Sequence, residues 1–192
     1  MTVFLAWKQT DHRTCGAAAL MVALAEAGRG PLSVETEMEI WNFANQQSTA
    51  LPGSYPGRLA VYAQSKGFSV EIHEDREKFS RLPGLKGHHA LQEHDRTIKE
   101  AREEGIPYHS GETSLEKVAS WAEKGKVLLL VSTAADLLGI HWVLLQSYDP
   151  ATRQCVVMDP ALGINFPGSL ERFVEHYSKI HPYLGIAIQL KI

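Results

Sequence analysis

Cysteine is scarce in this sequence: 192 residues carry only Cys15 and Cys155. Two thiols make no disulfide framework, so the fold must rest on a packed core, and a bridge between them is not expected in a chain that reads as a resident of a reducing compartment. Long apolar runs are missing too. No stretch approaches the roughly 20 residues that a membrane-spanning helix needs. The opening MTVFLAWKQTD has no basic region ahead of its short apolar stretch. Neither a signal peptide nor an anchor is therefore expected, and the expected location is cytoplasmic, with export by a specialised secretion machine left open. An excess of basic charge is absent as well. The formal net charge of −3 removes the electrostatic footprint of nucleic-acid binding or of an acidic membrane surface. P-loop and dinucleotide fingerprints, repeats, low-complexity tracts and domain linkers are lacking, and no cofactor is expected.

What is present is the composition of a soluble globular protein, with 44% hydrophobic and 21% charged residues, enough for a sizeable core in one domain spanning 1–192. Helical signals gather early. GAAALMVALAEA, residues 16–27, is apolar on nearly every side and reads as a buried helix ended by Gly28. Ser33 offers an N-cap to VETEMEIWNF, with Glu35 and Glu37 in its first turn favouring the positive helix end. RLAVYAQSKG reads as a third helix stopped by Gly67, and FSVEIH as a short strand. Residues 74–111 weaken into charged, His-rich sequence. They read as an exposed insertion holding a solvated helix with pairs such as Asp95 and Lys99. Thr113 and Glu116 have capping-box spacing ahead of LEKVASWAEKG. The β-rich runs KVLLLVS, HWVLLQSYD, QCVVMD and LGIAIQLKI come late, interrupted by the helix SLERFVEHYS. The expectation is α+β: an N-terminal helical lobe and a C-terminal antiparallel sheet lobe.

Cys15 stands where polar, turn-like sequence gives way to the first helix. Unpaired N–H groups at a helix start favour thiolate over thiol, and Gly16 keeps bulk away from the sulfur so that a carbonyl or another backbone can approach. Most unpaired cysteines are small buried hydrophobes, so a nucleophile needs partners. His141 opens the strand HWVLLQSYD and can serve as general base, then as imidazolium general acid. Asp159 ends the next strand before Pro160. If SYDPATRQ links the two strands as a hairpin, Asp159 lies beside His141, and Asp149 lies at the wrong end. Gln9, six residues before Cys15, carries a neutral amide that can donate to an oxyanion, as can the Cys15 backbone N–H.

These residues resemble a known family. Q-x5-C-G-A-A at Gln9 to Ala18, H-W-V-L-L at His141 to Leu145, then Y-D and V-V-M-D-P ending at Pro160 are similar to the papain-like cysteine peptidase superfamily. Within it the likeness is to the bacteriocin-processing peptidases that cut double-glycine leaders, and to their stand-alone relatives. It covers residues 5–30 and 113–192 and leaves 74–111 uncovered. The resemblance implies a papain-like fold with the site between the lobes, Cys15 as nucleophile, His141 as base and acid, Asp159 as ring orienter and Gln9 as oxyanion donor. Those peptidases are usually fused to a membrane exporter, whereas this sequence has no spanning run and no ATPase motif. The resemblance therefore carries chemistry rather than substrate. Phytochelatin synthases are similar in using the same residue types for acyl transfer to a thiol peptide.

Other constellations point less far. His88, His89 and His94 lie together, but without the i, i+4 spacing that puts two ligands on one helix face, and no metal site is expected there. Gly16, Trp142, Tyr55 and Gly139 are the candidate substrate-binding residues, with Trp142 packing beside the site. The leading expectation is a cysteine hydrolase acting on a peptide or amide-containing small molecule through a thioester. A thiol acyltransferase using the same acyl-enzyme is the second reading, and a non-catalytic binding module on the same fold is the third.

Overall fold

A computed structural model describes residues 3–45, 53–77, 88–132, 140–177 and 184–191. Helix α1 spans Cys15–Glu26, and its residues from Cys15 to Leu24 are all buried, as its nearly uniform apolar composition requires. α2 spans Val34–Ala44 and starts where the Ser33 side chain accepts a hydrogen bond from Thr36 N. α3, Pro56–Ser65, has proline in its first turn, where a missing N–H costs nothing. Strand β1, Ser69–Glu74, follows.

Of the stretch read as an exposed insertion, the described residues 88–110 pack against the rest of the molecule. α4, His88–Glu103, packs on α3 through Gly57, where an added Cβ would meet Thr97 O at 2.1 Å. Its inner face is Ala90, His94, Thr97, Ile98 and Ala101, all buried. Small and polar residues make most of that face, so hydrophobic periodicity did not reveal it. The outer face carries the expected charges, with Arg96 paired to Glu93 and Glu100, while Asp95 binds Arg76. Short strand β2, Tyr108–Ser110, pairs in parallel with β1.

α5, Leu115–Ala122, is capped by Ser114, one residue later than the Thr113 spacing suggests. The remaining elements are β3 (Lys126–Ser132), β4 (Ile140–Asp149), β5 (Gln154–Asp159), β6 (Ile164–Ser169), α6 (Leu170–Tyr177) and β7 (Leu184–Lys191). β6 has no counterpart in the sequence reading because Pro167 and Gly168 break its pattern. As the last strand of the sheet it tolerates both. One seven-stranded sheet runs β2-β1-β7-β3-β4-β5-β6, antiparallel except for β1 and β2. α1, α3 and the inner face of α4 pack with sheet residues such as Leu128, Leu144 and Ile188 in one apolar cluster. A second cluster joins Val118 of α5 and Phe173 of α6 to Val127, Val143, Leu145 and Val157.

No helix among the described residues is long and apolar enough to cross a membrane.

Candidate active site

The β4–β5 hairpin brings His141 and Asp159 together. Leu144 pairs with Met158 and Asp149 with Gln154, so the start of β4 lies beside the end of β5. Asp149 caps the far turn, accepting from Ala151 N and Thr152 Oγ1. His141 Nε2 lies 2.8 Å from Asp159 Oδ1, with both side chains buried. The same carboxylate oxygen accepts from Ala161 N at 2.8 Å, which fixes its orientation from behind.

Cys15 approaches from the other layer as the first residue of α1. Cys15 is among the groups that act on the His141 ring and favour its charged form. With Nε2 committed to Asp159, Nδ1 is the nitrogen left for sulfur. Burial alone would push the imidazole down, but the hydrogen bond to the Asp159 carboxylate and the interaction with Cys15 overcome it and raise His141 to about 10. No side chain caps α1, because the Thr14 hydroxyl turns away to the Glu37 carboxylate, so the positive end of the helix is open beside the sulfur. Cys15 is only 6% exposed.

Gln9 is held at the same end of the sheet. Its backbone N–H donates to Pro160 O at 2.8 Å, next to Asp159, and Gly163 lets Lys8 pack tightly on the turn, since an added Cβ would meet Lys8 Cβ at 2.6 Å. The Gln9 side-chain Nε2 donates to Asp11 O at 2.8 Å, and one further N–H of that amide is available.

Glu37 positions this loop. Its carboxylate is fully buried and accepts from Trp7 Nε1 at 2.6 Å, Thr10 N at 2.8 Å, Thr10 Oγ1 at 2.7 Å and the Thr14 hydroxyl. In sequence it is merely a second acidic residue in a helix first turn, and nothing local marks its long-range partners.

The candidate substrate-binding residues are placed differently. Gly16 faces Ser54 and Trp142, each 2.9 Å from where a Cβ would stand, so it serves close packing of α1 on β4. Trp142 is buried and donates from Nε1 to Ser54 O at 3.3 Å. Tyr55 is 1% exposed and belongs to the core between the helices and the sheet, so it presents no open face to a substrate. Gly139 lies outside the described residues. The second cysteine, Cys155, is an unbridged, buried thiol, pushed up to about 11 by burial and by Glu171.

The N-terminal helices followed by a mostly antiparallel seven-stranded sheet match the α+β fold of C39 peptidase domains. The chain belongs to the Peptidase C39-like family, whose model matches residues 5–166 and so runs through the α4 region. Two solved structures share the fold. One is the peptidase domain of Streptococcus ComA, a bifunctional ABC transporter involved in a quorum sensing pathway, with TM-score 0.51, 15% identity and coverage of 98% of each chain. The other is a double-glycine motif protease from an AMS/PCAT transporter in complex with the leader peptide. It has TM-score 0.51, 16% identity and coverage of 97% of this chain and 89% of that one. No curated protein matches the sequence significantly.

Proposed function

We propose that this protein is a cysteine hydrolase that cleaves a peptide or amide bond through a thioester acyl-enzyme. The observation that carries the reading is the His141 ring held 2.8 Å from Asp159, with Cys15 at an uncapped helix start among the groups that raise its pKa. Family membership and the peptide bound to one structural neighbour favour a peptide substrate.

In the proposed reaction the Cys15 proton passes to His141 and the sulfur attacks the substrate carbonyl. The resulting oxyanion receives hydrogen bonds from the Cys15 backbone N–H and the free N–H of the Gln9 amide. Collapse breaks the C–N bond, and the His141 imidazolium protonates the departing amine. Water then attacks the thioester, giving its proton to His141. The acid leaves, and the thiol is restored. Asp159 keeps Nε2 occupied and Nδ1 facing sulfur throughout.

The test is to incubate the purified chain with peptide pools and cell extract, quench in acid and map the mass added to the protein. An acyl group on Cys15 of the wild type, absent from Cys15→Ala, is the expected result, with turnover lost by at least about 10³-fold. Turnover retained in Cys15→Ala would overturn the reading.

A further inference from the structure

A second cluster lies at the other end of the sheet. Glu71 and His73 on β1 and His109 on β2 offer ligand atoms within 4.8 Å of one another. β1 is separated from β4 by β7 and β3, three strand spacings or about 14 Å, so the cluster is remote from His141. The parallel register sets His73 directly opposite His109, and their rings stack at a centroid distance of 4.8 Å. Glu71 Oε2 stands 3.6 Å from His73 Nε2 and 3.5 Å from His109 Nε2.

We infer that Glu71, His73 and His109 form a binding site for a divalent transition-metal ion of the Zn²⁺ type. The ligand set, two imidazoles and one carboxylate, is one that zinc takes with a solvent molecule in the fourth position. Tetrahedral bonds of about 2.0–2.1 Å place neighbouring ligand atoms about 3.4 Å apart, close to the two separations from the carboxylate. His73 Nε2 is the observation that points to a ligand. The residue is 8% exposed, and this nitrogen is buried with no hydrogen-bond partner, an arrangement that costs free energy unless something binds there.

The surroundings hold the three groups in place. Trp121 of α5 stacks on His73 at 4.0 Å, and Gln189 of β7 donates to Trp121 O at 2.8 Å and so helps to hold the indole in place. Lys191 Nζ binds Glu71 Oε1, which keeps the carboxylate ionised and turns Oε2 toward the imidazoles. Two lysines oppose a cation here: Lys191 occupies the oxygen turned away from the rings, and Lys117 in the cleft wall donates to Glu112 O. His109 is half exposed beside a cleft lined by Ser110, Gly111, Thr113 and Lys117, which gives an ion an entry path and room for water. A bound ion would tie the short edge strand β2 to β1.

The test is calorimetric titration of ZnCl2 into the metal-free full chain carrying Cys15→Ser, so that the candidate catalytic thiol takes no metal. One equivalent is expected to bind and raise Tm, with binding at least tenfold weaker in the added variants His109→Ala and Glu71→Gln. His109 is exposed enough that its loss leaves the fold intact, which circular dichroism verifies. No saturable binding, or binding unchanged in both variants, would overturn the inference. Neither readout depends on peptidase activity.

Discussion

His141 is the residue on which the electrostatics turn. Its value in the folded chain is raised above the ordinary 6.5 to about 10, because the Asp159 and Cys15 interactions outweigh burial. By linkage its contribution to stability is fully present below pH 6.5 and is lost as pH rises through about 10. Asp159→Asn removes a major supporting charge. The His141 ring resonances in NMR should then titrate markedly lower than in the wild type, and turnover should fall by roughly 10²–10⁴-fold. An unchanged titration would detach Asp159 from the ring. The placement of His141 beside Asp159 was legible in the sequence, because a hairpin sets the start of one strand beside the end of the next. The role of Glu37 was not legible, since its partners Trp7, Thr10 and Thr14 lie more than twenty residues away and only folding brings them near.

At the scale of elements, the segment before α1 is shaped by two buried carboxylates. Glu26 near the end of α1 accepts from Leu5 N and from the Gln146 amide, each at 2.8 Å, and Glu37 gathers residues 7–14. Glu37→Ala leaves several buried donors without an acceptor. A loss of about 3 kcal/mol is expected in urea unfolding, together with lower activity as Gln9 loosens. A change below about 0.5 kcal/mol would contradict this account of the loop. Gly57→Ala meets backbone rather than a movable side chain at Thr97, so it should separate α3 from α4 and cost about 2–3 kcal/mol or more. Full stability in that variant would show that α4 packs more loosely than the geometry requires. The helices α1 to α3 were readable from caps and apolar runs. α4 was read for its charged face alone, because its inner face buries His94 against Glu74, at 3.0 Å, in place of a leucine.

The whole molecule depends on its last strand. β7 pairs with β1 on one side and β3 on the other, so the chain end joins the α4–β2 region to the hairpin that carries His141 and Asp159. Removing residues 184–192 should abolish cooperative unfolding, as followed by circular dichroism; a truncated chain that still melts in one sharp transition would overturn that dependence. The sequence showed β7 as a strand but not its place between two distant partners. That order comes from long-range pairing, which local patterns do not encode. The same reason hid the parallel β1–β2 pair and with it the Glu71, His73 and His109 cluster.

In the proposed site Cys15 is an activated thiol served by His141, while Cys155 is inert packing. The most direct measurement is the rate of iodoacetamide alkylation of the native protein at each cysteine, followed by peptide mass mapping in the wild type and in His141→Ala. Alkylation of Cys15 at least about tenfold faster than Cys155, and slowed about tenfold or more by His141→Ala, is the predicted result. Labelling that follows Cys155, or a Cys15 rate indifferent to His141, would contradict it.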